Sequence, residues 1–147
     1  MELKQYEYIP NDWVIGRIQN LHESIFGQLF SIKRLQGKEN ILILTVWKDD
    51  HVIGYKIGYE KNEKYFYSWI GGVHAKFRNQ GIASKLMQLQ HNWCIDKGFQ
   101  YIQTKTKNKW RNMLILNLKH DFDIIGTYTD EKGEPKIILQ KQLISSF

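Results

Sequence analysis

The sequence predicts an α+β fold: a central mixed, mostly antiparallel sheet of six to seven strands flanked by about four helices. Three observations carry this expectation. First, residues 41–47, 52–60 and 65–73 are strand-like runs separated by the polar turns Lys48-Asp49-Asp50-His51 and Lys61-Asn62-Glu63-Lys64. Those turns are too short for crossovers, so the three runs form an antiparallel meander. Second, a long helical run over 81–97 separates the third strand from a fourth over 101–106. A helix between two strands implies a parallel, right-handed pair. Third, residues 124–129 and 136–142 flank Asp130-Glu131-Lys132-Gly133, which reads as a closing hairpin.

The remaining elements follow in order. Residues 3–9 read as a first, polar strand. Pro10-Asn11-Asp12 resembles a helix start, and Val14, Ile18, Leu21 and Ile25 then recur at spacings of 4, 3 and 4, one face of a helix. Gly27 interrupts it. Leu29, Ile32 and Leu35 predict a second short helix that stops near Gly37. Residues 41–47 are continuously apolar apart from one Thr, as in a buried strand. In the long helix Ile82, Leu86, Leu89 and Trp93 repeat on one face, and Gly98 sits where a left-handed C-terminal cap belongs. Residues 110–119 read as a further helix. The predicted order is β-α-α-β-β-β-α-β-α-β-β.

At 147 residues the chain suits one domain over 1–147, large enough to bury a core. Its 42% hydrophobic and 24% charged residues are ordinary for a soluble globular protein. No apolar run is long enough to span a bilayer, and the N-terminal residues lack the apolar core of a signal peptide. A single cysteine, Cys94, excludes an internal disulfide and fits a reducing cytoplasm. The formal net charge of +6 suits an acidic ligand: nucleic acid, an anionic membrane surface or a phosphorylated cofactor.

The stretch Val73-His74-Ala75-Lys76-Phe77-Arg78-Asn79-Gln80-Gly81-Ile82-Ala83 chooses among these. It lies where a strand turns into a helix, with small residues at Gly81 and Ala83. Such a turn leaves backbone N–H groups unpaired, with the positive end of the helix dipole behind them. It is an anion site suited to a pyrophosphate. A bulky side chain at Gly81 or Ala83 would hold a diphosphate away.

The motif Arg78-x-x-Gly81-x-Ala83 after a strand ending in Val73, together with the element order, resembles the GNAT superfamily of acetyl-coenzyme A-dependent N-acetyltransferases. The likeness in element order covers nearly the whole chain and implies the GNAT-like acyl-CoA N-acyltransferase fold. It implies acetyl-CoA as co-substrate, with no metal. The backbone N–H groups of Arg78, Asn79, Gln80, Gly81, Ile82, Ala83 and Ser84 would bind its pyrophosphate, while backbone groups near Val73 pair with the pantetheine arm and polarise the thioester carbonyl. The segment Met113-Leu114-Ile115-Leu116-Asn117-Leu118-Lys119-His120-Asp121-Phe122 corresponds to a later family motif. Asn117 stands where many members carry a Tyr that protonates the leaving thiolate. Asparagine supplies no such proton, but it can hydrogen-bond the cofactor. Asp121 replaces a Gly, which implies a tolerated left-handed residue.

The expected activity is transfer of the acetyl group to a primary amine of a small molecule or peptide by direct attack. Candidates for a catalytic part, besides Asn117, are Glu23, near the bend after the first helix, and Tyr128, near the sheet end. Each has a plain alternative: Glu23 as a solvated helix charge, Tyr128 as an ordinary strand residue. His74 beside the motif can contact phosphate or be a simple loop histidine. Gly71-Gly72 marks either a splayed strand where a cofactor enters or tight packing against a helix. Tyr65, Tyr67 and Trp69 share a strand face and line an acceptor pocket or fill the core. His91 and Cys94 lack the second pair of ligands a zinc site needs, so Cys94 reads as a small buried hydrophobe. The basic run over 105–112 attracts the 3′-phosphate of coenzyme A or solvates a helix start. Two other functions stay open: a non-catalytic CoA-binding regulatory module of the same fold, and a basic nucleic-acid-binding protein. The sequence leaves a homodimer open as well.

Overall fold

The computed structural model describes residues 1–143; the last four residues of the expected domain lie outside the described residues. Seven strands form one sheet: β1 (Glu2–Tyr6), β2 (Leu42–Lys48), β3 (His51–Glu60), β4 (Tyr65–Val73), β5 (Tyr101–Lys107), β6 (Asp123–Thr129) and β7 (Pro135–Gln142). The strand order is β1-β2-β3-β4-β5-β7-β6. Among the described strands β4 and β5 pair in parallel, as the helix between them requires, and the other pairs are antiparallel. Three α-helices accompany the sheet: α1 (Asp12–Phe26), α2 (Ile82–Lys97) and α3 (Arg111–Lys119).

Local signals set the helix ends. Asn11 Oδ1 accepts the Val14 N–H at 3.0 Å, capping α1. Gly27 (φ +73°) ends α1 and Gly98 (φ +90°) ends α2, both left-handed. The predicted fourth helix is only a 3₁₀ turn over Ile32–Leu35. Leu29, Ile32 and Leu35 repeat every three residues, the 3₁₀ period, and Gly37 (φ +77°) closes the segment. Gln19 holds the preceding loop: its side-chain amide bonds both the carbonyl (2.7 Å) and the N–H (3.0 Å) of Phe30. β1 ends at Tyr6, short of the predicted Ile9, because its partner β2 begins at Leu42, one residue beyond the Tyr6↔Ile43 pair.

Two cores sandwich the sheet. On one face α1 and the 3₁₀ turn cover Ile43, Trp47, Val52, Tyr55 and Ile57 with Val14, Ile18, Leu21 and Leu35. On the other, α2 covers Leu42, Leu44, Ile53, Phe66, Ile102 and Leu139 with Leu86, Met87 and Cys94. Successive strand residues point to opposite faces, so strands buried on both sides read as continuous apolar runs. That is why β2 carries no alternation.

The sheet forks between β4 and β5. Their pairing runs from Tyr65↔Tyr101 to Ser68↔Thr104 and then stops. Beyond that rung β4 stays with β3, and β5 stays with β7. A bulge sits at the fork's apex: Ile57 pairs Ile70 while Gly58 pairs Ser68, so Trp69 is the extra residue. An extra residue bends its strand and raises its twist, turning β4 away from β5. Thr104 Oγ1 donates to the Ser68 carbonyl at 2.8 Å and closes the apex. Both glycines of β4 sit where a side chain would meet close neighbours. A Cβ on Gly72 would lie 2.6 Å from Ile25 Cδ1 of α1, and one on Gly71 would lie 3.0 Å from the Tyr55 carbonyl oxygen. Gly72 therefore lets α1 pack close, and the bulge creates the splay.

Gly58 faces the bulge. A Cβ there would overlap the Phe66 ring and lie 2.7 Å from the Tyr67 carbonyl oxygen. Gly58→Ala is expected to destabilise the fold by about 1–3 kcal/mol, as overpacking does. Gly126→Ala meets only Ile138 Cδ1 at 3.8 Å, ordinary contact, and should shift stability by about 0.5 kcal/mol or less. Urea unfolding of the two variants measures the contrast.

Candidate active site

The fork leaves backbone groups of β4 without a strand partner. The His74 N–H donates to the Ile53 carbonyl at 2.8 Å, toward β3. Backbone groups alternate sides along a strand. Those of Gly71 and Val73 therefore point the other way, into the gap that β5 has left. The Val73 carbonyl is reached there by Arg78 Nε at 3.2 Å.

Past Val73 the chain makes a 3₁₀ turn over Ala75–Phe77, whose first amides His74 helps to cap: its Nδ1 accepts the Lys76 N–H at 3.1 Å. Asn79 (φ +62°) and Gly81 (φ +80°) are left-handed and swing the chain into α2. Gly81 is the N-cap and has no side chain to cap with. The first intrahelical bond is from Lys85 N–H to the Gly81 carbonyl, at 3.0 Å. The amides of Ile82, Ala83 and Ser84 thus stand at the positive end of the helix dipole, open to an outside acceptor. A Cβ built on Gly81 meets nothing within 4 Å.

Across the fork stands α3. Asn117 is its buried residue, 3% exposed, and its side chain makes no hydrogen bond with a described residue. A polar amide at a buried position of a helix calls for a polar partner. Asp121 is left-handed (φ +68°), as expected for a Gly replacement. His120 Nε2 lies 3.1 Å from Ser84 Oγ and ties the end of α3 to the first turn of α2. The chain separation of these partners hid the contact from sequence reasoning.

Residues 73 and 78–84 thus run consecutively from the open end of β4 into the first turn of α2, and Asn117 lies on α3, whose end His120 ties to that turn. Glu23 does not join them: it is exposed on α1 and lines neither of the two hollows described next. Tyr128 sits on the edge strand β6, 41% exposed, with Lys105 Nζ 5.5 Å from its ring centre. Tyr67 and Trp69 pack on the α1-side core, while Tyr65 stacks on Tyr101 with ring centres 4.8 Å apart. An aromatic chain spans the fork on that side: Trp69 meets Phe30 edge to face at 5.6 Å, Phe30 meets His22 at 5.2 Å, His22 meets Phe26 at 4.7 Å, and Phe26 meets Trp110 at 5.2 Å. Sequence reasoning missed His22, which is buried, hydrogen-bonded through Nδ1 to the Tyr55 hydroxyl, and lowered in pKa by burial.

Among the described residues, hollows that open on the α1 side include two of note. The larger, about 570 Å³, lies between α1, the β2–β3 turn and the 3₁₀ turn over Ala75–Phe77, away from the fork's apex. The smaller, about 230 Å³, adjoins the apex and is bounded by Tyr67, Gln103 and Thr104 of its last rungs, with Arg34, Tyr59 and Lys105. Burial pushes the Tyr67 hydroxyl up to about 12, so it is neutral and able to donate at ordinary pH.

The sequence profile of the acetyltransferase (GNAT) family matches residues 11–113. The chain belongs to this family. GNAT enzymes are N-acetyltransferases that take acetyl-CoA as co-substrate and an amine as acceptor, and this chain is an acyltransferase of that type. Solved structures share its fold: an Ard1 protein from Thermoplasma volcanium (15% identity, TM-score 0.81, covering 97% of this chain and 99% of that one); the ribosomal-protein-S18-alanine N-acetyltransferase from Escherichia coli (12%, 0.80, 99% and 97%); and the aminoglycoside 6′-N-acetyltransferase from Enterococcus faecium (12%, 0.79, 99% and 99%). A comparison with curated proteins gives no sequence match. Among the described residues, no helix of this GNAT chain is long and apolar enough to cross a membrane.

Below α2 the GNAT core holds a polar strip. Lys141 Nζ lies 3.2 Å from His91 Nδ1. An ammonium only donates, so Nδ1 accepts and the ring proton sits on Nε2, which is buried without a partner. Burial first, then the charges of Lys141 and Lys56, hold His91 down to about 3. Burial also lowers Lys56 to about 8 and raises the Cys94 thiol, which is an inert core group. The unfolded chain protonates His91 below about pH 6.5, whereas the folded chain resists until about 3. In that window the unfolded state binds more protons, so stability falls as pH drops. The urea midpoint is expected to fall between pH 7 and pH 4.5, and to fall less in His91→Phe.

Proposed function

We propose that this GNAT domain, over residues 1–147, transfers an acetyl group from acetyl-CoA to a primary amine of a small molecule or peptide within the β4–β5 fork. The observation that carries this reading is the coincidence, at one gap, of uncapped α2 amides, outward-facing backbone groups of Gly71 and Val73, and the unpartnered Asn117 amide. These groups fit a linear cofactor with a diphosphate at one end and amide-bearing arm at the other. The N–H groups of Gly81, Ile82, Ala83 and Ser84, with Arg78, Asn79 and Gln80 of the same turn, hold the diphosphate, since helix dipole and amides both favour anions. Gly71 and Val73 pair with the arm as a further strand would, and the β4 amides at the fork polarise the thioester carbonyl. Asn117 hydrogen-bonds the arm.

Bound acetyl-CoA supplies an activated acyl carbon whose sulfur is a good leaving group, so the fork needs no strong acid. That suits an Asn at position 117. Positioning then carries the rate. Tyr128 stands on the edge strand β6, its ring beside Lys105. Glu23, exposed on α1, is placed for solvent. Neither β4 nor β5 carries a carboxylate. The nucleic-acid reading loses its main support: Lys107 and Lys109 of the basic run are both engaged by Glu134, at 3.2 and 3.4 Å. The buried single cysteine agrees with a cytoplasmic protein. Exposed Ile124 and Ile125 on the edge strand β6 support a homodimer through that edge.

Thiol release from acetyl-CoA over a panel of amines tests the activity, and stabilisation by CoA with no release from any amine would leave the binding module. A pair of variants tests the cradle. Asn and Asp both tolerate a left-handed backbone and have nearly the same shape, so Gly81→Asn and Gly81→Asp differ mainly in charge. Gly81→Asp is expected to bind CoA tenfold or more weakly than Gly81→Asn in calorimetry, about 1.4 kcal/mol or more. Equal affinities would remove the anion from this turn. Asn117→Ala should lower thiol release roughly tenfold, the loss expected of one hydrogen bond.

A further inference from the structure

We propose that the acceptor is an α-amine carrying an acidic group close by: a free acidic amino acid or a peptide beginning with acidic residues. The proposal rests on the reading of the fork as the acyl-transfer site and names the substrate class that site takes. Its basis is the hollow of about 230 Å³ at the apex of the fork. Four cations border it, Arg34, Lys38, Lys61 and Lys105, against one carboxylate, Glu60. None of the four joins an ion pair with a described residue; the pairs present are Lys97–Glu7, Lys107–Glu134 and Lys109–Glu134. Glu60 is itself engaged, accepting Asn40 Nδ2 at 3.2 Å.

These cations are held in place by neutral groups. The Arg34 guanidinium lies 5.1 Å from the Trp69 ring centre and 5.9 Å from that of Tyr67, and its Nε donates to the Tyr59 hydroxyl at 3.0 Å. Its terminal nitrogens have no acceptor among the described residues, so the fork that grips a carboxylate in two-point fashion stays available. Lys38 lies over Tyr59 at 5.1 Å and Lys105 over Tyr128 at 5.5 Å, while Lys61 donates to Gln103. Aromatic faces steady a cation without neutralising it. The hollow is thus a preorganised anion receptor beside the reacting bond, and it repels polycations.

The same charges serve the chemistry. Attack requires a neutral amine, and nearby cations lower an ammonium pKa. The α-amine of a peptide starts near 7.7–8.0, whereas a lysine amine starts near 10.4. The one carboxylate bordering the hollow, Glu60, already accepts from Asn40, so a peptide α-amine is the nucleophile that needs least help. The nitrogen bonds the acyl carbon, the C–S bond breaks with its electron pair on sulfur, and the proton lost by nitrogen ends on the thiol.

Calorimetry first establishes that CoA binds; absence of that heat would refute the fork reading itself. Thiol release from acetyl-CoA is then measured with glutamate, a hexapeptide beginning Glu-Glu, the matching peptide beginning Lys-Lys, and spermidine. The better of the two acidic acceptors should exceed both cationic ones at least tenfold in kcat/KM, and added salt should narrow the gap. Which acidic acceptor leads separates free amino acid from peptide. Arg34→Gln with Lys105→Gln should collapse the acidic-to-cationic ratio mainly through KM, and Lys61→Gln, at an exposed side chain, should reduce it independently. Equal rates, a cationic preference, or a ratio untouched by these substitutions would overturn the proposal. If CoA binds but nothing turns over, the two hexapeptides titrated into CoA-loaded protein decide it: tighter binding of the acidic one sustains it, while equal or absent heats overturn it.

Discussion

The parting of β4 from β5 after the Ser68↔Thr104 rung is the constraint on which the rest of this molecule depends. A continuous sheet would have paired every backbone group of β4 and left nothing to offer a ligand. One extra residue, Trp69, changes that by bending β4 at the rung where parallel pairing ends. The bend succeeds because Gly58 opposite it has no Cβ and because Thr104 satisfies the Ser68 carbonyl that the departing strand would otherwise strand. Parallel pairing is also the weaker kind per residue, so the sheet opens where separation costs least.

Everything functional is then arranged around that opening. The strand that diverges leads directly into the turn before α2, so the gap and the amide-lined helix start are consecutive in the chain. The opposite wall comes from α3, tied back to α2 through His120 and Ser84. The two faces of the sheet divide the work. The α2 and α3 side carries the uncapped amides and Asn117, and the α1 side carries the aromatic and cationic hollow. On the proposed reading, cofactor and acceptor approach the same bond from opposite faces.

Much of this was legible in the sequence for a physical reason: it is written in local backbone chemistry. Asn11, Gly27, Gly98 and Asp121 each mark a conformation that only a few residue types adopt comfortably, and each does so here. The turn from Val73 into α2 is likewise a contiguous pattern. The 3₁₀ turn over Ile32–Leu35 reads as a longer helix in the sequence because three apolar residues serve either period, and only the distance between Gly27 and Gly37 argues for the shorter form. Long-range partnerships left no trace. Arg34 meets Tyr59 twenty-five residues on, His22 meets Tyr55, and His120 meets Ser84; each looks like an isolated polar residue in the linear chain. Glu23 drew attention for its place near a bend, yet proximity to a bend in sequence says nothing about which way a helix turns its faces.

The alternating directions of the backbone at the end of β4 have a dynamic corollary. Gly72 and His74 face β3, while Gly71 and Val73 face the gap. Solvent deuterium should therefore enter the strand in a two-residue rhythm, quickly at 71 and 73 and slowly at 72 and 74, although all four belong to the same rigid element. A molecule lying in the gap would erase that rhythm without moving any atom of the fold. The strand is a built-in recorder of occupancy, read amide by amide.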